Sequence, residues 1–163
     1  MLARGLIPLT LLFILAACGG PARHVAQATR LAHGPGFTLA APASWRLSTS
    51  ATAVVARRGS ALVSATRFAL VKPYRPELFA KAAVELDRVA AGLAAQSHGK
   101  LTERTTTTVD GRRIRAYRFA TRSYESRLGF LLEGRREFEL YCQARSGDPD
   151  GACALLFSSF SVT

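Results

Sequence analysis

YRPELFAKAAVELDRVAAGLAAQSHGKLTERTTTTVDGRRIRAYRFA, residues 74–120, joins a helix-type pattern directly to a strand-type pattern. In its first part, apolar residues recur at three- and four-residue steps, as on one face of an α-helix. These residues are Leu78 or Phe79, followed by Ala82, Leu86, Val89 and Leu93. Pro76 suits the first turn of such a helix, and Gly99 suits its end. We therefore predict an amphipathic helix over residues 76–97 that lies on a sheet.

The second part of this stretch predicts a β-hairpin. Asp110-Gly111 is typical of a type I′ turn, and it stands between a Thr-rich arm and an arm containing Ile, Tyr and Phe. A further hairpin is predicted from residues 128–133 and 137–143, joined by residues 134–136. In its last arm, apolar residues alternate with polar ones, which predicts one buried face and one solvent-facing face. The buried set is Phe138, Leu140 and Cys142; the other set is Glu137, Glu139, Tyr141 and Gln143.

The segments on either side complete the fold class. A strand is expected to begin near Phe37 and end at Pro42, followed by Trp45 in the core. Two strand-like runs, residues 52–57 and 61–71, form another hairpin around residues 58–60, and a short helix over residues 151–160 closes the chain. The order β-β-β-α-β-β-β-β-α predicts an α+β domain: an antiparallel sheet with one long amphipathic helix and a short C-terminal helix packed on it.

The chain begins with the features of an export signal. Arg4 supplies a positive charge, and residues 6–17 form an apolar run too short to cross a bilayer as a stable helix. Leu15-Ala16-Ala17-Cys18 resembles the lipobox of bacterial lipoproteins. The resemblance implies a thioether-linked diacylglycerol on Cys18 and cleavage after residue 17. Two acyl chains anchor a protein durably, so the expected location is the extracytoplasmic side of the cell membrane.

These observations divide the chain into three parts. Residues 1–17 are predicted to be the lipoprotein signal peptide. Residues 18–35 contain Gly, Pro, His and polar residues without a clear period, and they are predicted to be a flexible tether. Residues 36–163 are predicted to be a single α+β domain, which is long enough for one buried core.

The two other cysteines form an even pair in an exported chain. This predicts a disulfide between Cys142 and Cys153. A metal site is the competing interpretation, but the three histidines lie far from the pair in sequence, and no metal-ligand spacing occurs. No metal or other cofactor is therefore expected.

The net charge of +11 favours an anionic partner. Export argues against nucleic acid and leaves anionic lipid headgroups or an acidic envelope partner. Arginines crowd the 110–136 region, and they form a candidate anion-binding face. Along the strand, Arg113 and Arg115 share one face, while Arg112 and Arg118 share the other. The alternative is a solvated face whose arginines pair with Glu103, Glu133 and Glu137. The candidate residues are Arg112, Arg113, Arg115, Arg118, Arg135 and Arg136.

Three segments resemble those of PsbP-like α/β/α sandwich domains. They are GFTLAAPASW at residues 36–45, VDGRRIRAYRF at 109–119 and FELYCQARSGDPDGACALLFSSF at 138–160. The resemblance implies the sandwich fold and a role as a binding or assembly module, and it carries no shared catalytic set.

Known catalytic motifs are missing from the sequence: there is no G-x-S-x-G, P-loop, H-E-x-x-H or G-x-G-x-x-G. We therefore expect no catalytic residues and a non-enzymatic, lipid-anchored binding or assembly module of the cell envelope. The alternative is an envelope enzyme, or an enzyme accessory, with an unrecognised cleft. A pocket with convergent polar groups of shifted pKa would favour the enzyme, and a flat, Arg-rich or apolar exposed patch would favour the binding module.

Overall fold

The computed structural model describes residues 28–147 and 151–163. The predicted signal peptide, Cys18 and most of the predicted tether lie outside these residues. The strands are β1 Thr29–Gly34, β2 Phe37–Pro42, β3 Arg46–Thr49, β4 Ala53–Arg58, β5 Ala61–Tyr74, β6 Lys100–Val109, β7 Arg112–Ala120, β8 Tyr124–Arg145 and β9 Ser161–Val162. Helix α1 is Phe79–Gln96, preceded by a 3₁₀ turn at Pro76–Leu78, and helix α2 is Gly151–Ser159.

The strands form two antiparallel sheets. The large sheet has the order β3-β4-β5-β8-β7-β6, and the small sheet has the order β1-β2-β9. All recorded strand pairs are antiparallel, as the predicted α+β class requires. The small sheet is a feature that the sequence pattern did not predict.

Strand β8 doubles back on itself. A straight strand of 22 residues would span about 70 Å. Instead, the Ser146 backbone nitrogen donates to the Ser123 carbonyl oxygen at 3.1 Å, so the two ends of β8 are neighbours. Gly134 has φ 54°, and the Glu133 and Arg136 side chains meet across this turn at 2.5 Å. The first arm pairs with β7 and the second with β5, which confirms the hairpin predicted around residues 134–136.

The larger core lies between the large sheet and a layer made of the small sheet and α2. Phe37 and Leu39 of β2 meet Phe138 of β8 there, and all three are fully buried. Trp45 belongs to the same core, as predicted. Gly129 of β8 allows α2 to approach closely, because a Cβ at that position would lie 2.7 Å from the Phe157 ring.

The predicted disulfide between Cys142 and Cys153 is present and joins the second arm of β8 to α2, with 5.5 Å between the two Cα atoms. Both cysteines belong to the larger core. The bond therefore holds the C-terminal helix against the large sheet.

Helix α1 covers part of the opposite face of the large sheet. Its buried residues Leu86, Ala90 and Ala94 recur at four-residue steps. They pack on an apolar group made of Tyr117, Phe119, Leu128 and Phe130. The position of the helix agrees with the prediction, but the predicted buried face is wrong beyond Leu86. Val89 and Leu93 are 49% and 39% exposed, whereas Ala90 and Ala94 are buried, because small alanine side chains let the helix pack closely on the aromatic rings of the sheet.

A charged side chain of α1 fastens the helix to β7. The Asp87 carboxylate accepts hydrogen bonds from Arg115 at 2.8 and 3.0 Å and from the Tyr117 hydroxyl at 2.7 Å. The Arg115 hydrogen bonds hold the pKa of Asp87 below its ordinary value. Burial is the main reason that the pKa of Tyr117 is raised.

The prediction of a tether that continues to residue 35 is wrong at its C-terminal end. Residues Thr29–Gly34 form β1, which pairs along its whole length with β2. Only Ala32 of this strand is buried, so its own sequence carries a weak strand pattern. The folded domain thus begins earlier than predicted, because β2 supplies the pairing partner.

Candidate functional site

Half of the α1-side face of the large sheet carries no helix in the described part of the chain. Helix α1 lies over β6, β7 and the first arm of β8. Neither described helix lies over the same face of β3, β4, β5 and the second arm of β8, and we call it the open sheet face. The strand register aligns its residues in three rows: Arg46, Arg57, Leu62 and Gln143; Ser48, Val55, Ser64 and Tyr141; and Ala53, Thr66 and Glu139.

A cleft opens where the C-terminal end of α1 meets the open sheet face. It encloses about 320 Å³, which is within the size range of small-molecule sites. We call it the helix–sheet cleft. Its apolar walls are Leu93, Phe119 and Leu128, and its polar residues are Ser97, Thr121, Tyr124, Ser126, Glu139, Tyr141 and Gln143.

The polar groups on one wall of the cleft hold one another in place. The Tyr141 hydroxyl donates to Gln143 Oε1 at 2.9 Å and lies 3.1 Å from Ser126 Oγ. Gln143 Nε2 in turn donates to the Ser60 carbonyl oxygen at 3.2 Å. The Tyr141 hydroxyl is therefore positioned before any ligand binds, which reduces the ordering cost of binding.

Glu139 is the charged residue of the cleft. Its side chain is half-buried, and no hydrogen bond or ion pair within the described residues satisfies it. Burial raises the pKa of Glu139. Glu137, two residues earlier on the same strand face, also has a raised pKa, because of burial first and the charge of Glu139 second. An unpaired carboxylate in a partly apolar cleft favours a ligand that brings a positive charge or hydrogen-bond donors.

The six arginines predicted as an anion-binding face do not share one face. Along β7, Arg113 and Arg115 point to the α1 side, where Arg113 lies 4.0 Å over the Phe79 ring and Arg115 binds Asp87. Arg112 lies on the opposite side of the sheet, with Ile114 of the larger core next on that face. Alternation of side chains along a strand is the physical reason.

Most of these arginines are engaged by partners within the domain. Arg112 and Arg136 both bind Glu133, and Arg112 also binds Asp110. Arg118 pairs with Glu103 at 3.0 Å, and Arg135 donates to the Val71 carbonyl oxygen at 2.8 Å. The predicted pairing with Glu133 and Glu103 is therefore observed. Glu137 has no such pair among the described residues.

Neither helix in the described ranges has the length and hydrophobicity needed to cross a bilayer. Within the same ranges, no three His, Cys, Asp or Glu side chains gather in a way that could hold a metal ion.

Comparison with solved structures defines the fold class. A cyanobacterial PsbP from Synechocystis sp. PCC 6803, called CyanoP, matches with a TM-score of 0.62 and 13% identity, over 91% of this chain and 99% of that chain. A protein from Bacteroides thetaiotaomicron VPI-5482 matches with a TM-score of 0.56 and 11% identity, over 83% of this chain. This chain spans 48% of the Bacteroides protein. The domain has a PsbP-like fold.

Comparison by sequence adds no family. No protein-family model matches the chain, and no curated protein matches it. The identities to the two solved structures are low enough that the likeness describes the fold alone.

Proposed function

We propose that this protein is a lipid-anchored binding module of the cell envelope, with its ligand in the helix–sheet cleft. The lipobox-like Leu15-Ala16-Ala17-Cys18 supports the anchor. The observation that carries the binding function is the Glu139 carboxylate, unpaired among the described residues, inside an open, partly apolar cleft.

The chemistry of the cleft selects the class of ligand. Leu93, Phe119 and Leu128 suit an apolar body, and Glu139 suits a positively charged group at one end of it. An amphiphilic amine, or a partner segment that presents a lysine beside apolar residues, has this composition. A charge-assisted hydrogen bond to Glu139 would be stronger than a neutral one, since the site is partly shielded from water.

One observation favours the enzyme alternative. A carboxyl group of raised pKa beside the Tyr141 hydroxyl is suited to general acid–base chemistry. The described lining of the cleft contains serine and threonine hydroxyls but no histidine or lysine to activate one of them, so binding accounts for the arrangement more fully. Turnover of an amphiphilic amine by the purified protein, lost in Glu139→Gln, would support the enzyme instead.

Glu139→Gln is expected to abolish a preference for cationic ligands. At pH 7 the wild-type protein should bind octylammonium about ten-fold more tightly than octanoate, because one charge-assisted contact contributes about 1.4 kcal/mol. The preference should grow as pH rises through the raised pKa of Glu139, since the ionised carboxylate alone attracts the ammonium group. Isothermal titration calorimetry with the two probes at several pH values measures the ratio of the two affinities.

Glu137→Gln is the matched control for this experiment. It removes the same charge from the same strand face, but Glu137 does not line the cleft, so the preference should survive. Glu139→Gln should not lower the free energy of unfolding at pH 7, because burial disfavours the ionised form that it removes. Equal binding of the two probes by wild type, or a preference that survives in Glu139→Gln, would contradict the proposal.

Cys18→Ala is expected to abolish lipid attachment. Without the thiol no thioether can form, so the protein should lose incorporation of labelled fatty acid and accumulate as unprocessed precursor or as soluble material. Metabolic labelling and membrane fractionation in a bacterial host measure both. A Cys18→Ala protein that is still processed and labelled would contradict the proposed lipid attachment at Cys18.

A further inference from the structure

The positive charge of this chain is concentrated in its first half. Residues 1–76 contain nine of the 22 Lys and Arg residues and none of the 11 Asp and Glu residues, so they carry +9 of the net +11. The first acidic residue is Glu77. Strands β1 to β5 therefore have no acidic side chain of their own to neutralise their arginines.

Three arginines of this half gather at one corner of the large sheet. Arg46 of β3 stands directly opposite Arg57 of β4, and both are exposed. A concavity of about 500 Å³ opens beside them, and its lining includes no acidic residue. We call it the arginine corner, and its lining residues are Ser44, Arg46, Arg57, Arg58 and Gly59. Like charges placed opposite each other on neighbouring strands are unfavourable, so an external anion bound between them would stabilise this arrangement.

The corner is built on rigid strands around Trp45. The guanidinium of Arg58 lies 5.8 Å from the centre of the Trp45 ring. Arg30 of β1 donates from Nη2 to the Trp45 carbonyl oxygen, and its buried Nε has no hydrogen-bond partner in the described part of the chain. No recorded hydrogen bond or ion pair engages Arg46 or Arg57 within the described residues. In this they differ from the arginines of β7, whose partners lie within the domain.

The chain enters the domain at the same corner. The Ala43 backbone nitrogen donates to the Ala28 carbonyl oxygen at 2.8 Å, and Thr29 pairs with Pro42, so the first described residue lies next to Ser44. Cys18 precedes Ala28 by ten residues, which span at most about 35 Å when fully extended. A membrane that holds Cys18 is therefore within a short reach of the arginine corner.

We infer that the arginine corner binds the phosphates of anionic phospholipids in the membrane that holds Cys18. The inference rests on the proposed lipid anchor. Guanidinium groups bind phosphate oxygens in a bidentate manner, and basic side chains near a membrane are attracted by its negative surface potential. Binding there would set the orientation of the domain on the membrane, which the lipid anchor alone would leave free.

The test measures vesicle binding without the lipid. The protein is the chain from residue 18 onward with Cys18→Ser, which contains every described residue. At low salt it should bind vesicles containing about one third phosphatidylglycerol and should not bind pure phosphatidylcholine vesicles. Arg46→Gln with Arg57→Gln should weaken binding about 25-fold, since each arginine near the surface accounts for about five-fold.

Lys72→Gln with Arg75→Gln is the matched control. Both residues are exposed and belong to the acid-free half of the chain, but Lys72 lies ten residues beyond Leu62, the partner of Arg57, or about 30 Å further along β5. This pair should leave vesicle binding nearly unchanged. An equal loss of vesicle affinity in both double variants would overturn the inference, because it would show that binding depends on the net charge and not on the arginine corner.

Two further results would also overturn it. Absence of binding to anionic vesicles at low salt would exclude a headgroup site. Competition by millimolar inorganic phosphate that abolishes vesicle binding would identify a site for a free anion instead. Because the measurement uses unlipidated protein, either failure leaves the Cys18 labelling result, and hence the anchor, unaffected.

Discussion

Replacing Phe138 with alanine is expected to lower the free energy of unfolding by about 4 kcal/mol. Phe138 is fully buried on the second arm of β8. Its ring meets Phe37 of β2 edge-on at 5.8 Å and Phe160, which follows α2, at 5.6 Å. The three rings thus join the large sheet, the small sheet and the C-terminal segment, and truncation would leave a cavity where all three meet. Urea unfolding followed by circular dichroism measures the change.

Phe68→Ala is the matched control for Phe138→Ala. Phe68 lies on the open sheet face with 46% of its surface exposed, so the same deletion of a ring should cost less than about 1 kcal/mol. The dependence of the unfolding free energy on urea should stay the same in both variants. Similar losses in the two variants would contradict the assignment of Phe138 to the centre of the core.

Removal of the disulfide, by Cys142→Ala with Cys153→Ala, is expected to lower the free energy of unfolding by about 3 kcal/mol. The two cysteines are 11 positions apart, and loop-closure entropy for a loop of this length gives about that value. The loss should be concentrated in α2, whose contacts are with β2, β5 and β8. Hydrogen exchange of the α2 amides, compared with those of α1, measures where the protection is lost.

A reductant separates the bond from the change in side chains. Added to the wild-type protein, it should reproduce the loss of stability, and added to the double variant it should have no effect. A wild-type protein whose stability is insensitive to reductant under conditions that open the bond would contradict the prediction.

Local features of the sequence predicted the turns and the position of α1 well. Asp110 and Gly111 have φ 51° and 70°, the left-handed conformation that a type I′ turn requires and that these residue types tolerate. Gly134 likewise allows β8 to reverse with φ 54°. The position of α1 likewise follows from its helix-type pattern, whereas Ala90 and Ala94, which it buries, are not residues that the pattern predicted. Each of these features depends on the conformational preferences of neighbouring residues.

The candidate site could not be predicted in the same way. The pattern of the second arm of β8 predicts that Glu139, Tyr141 and Gln143 lie on a solvent-facing side of the sheet, and in the structure they lie opposite the larger core and line the cleft. Leu93 of α1 lies beside that face and lines the same cleft. Because Leu93 is far from β8 in sequence, no local pattern predicts that the two meet. The cleft therefore arises from a packing relation between two distant segments.

The arginines show both what the sequence predicts and what it leaves to the tertiary structure. The absence of acidic residues before Glu77 can be counted in the sequence, and it could have drawn attention to the arginines of β3 and β4, which the sequence analysis missed. Which arginines are neutralised depends on pairs such as Arg115 with Asp87, 28 positions apart. Arg112 and Arg113 are adjacent in the chain and lie on opposite faces of the sheet. Arginines that are close in sequence are therefore not close together on one surface.

The sequence by itself determined the α+β class, the turns, α1 and the pairing of two cysteines, because periodicity, turn chemistry and cysteine count are local or compositional properties. The lipobox at Cys18 belongs to the same kind of evidence and stays a prediction. Tertiary structure alone decided the small sheet, the helix–sheet cleft and the arginine corner. These depend on strand register and on which face α1 covers, and both are set by the burial of apolar surface between segments far apart in the chain.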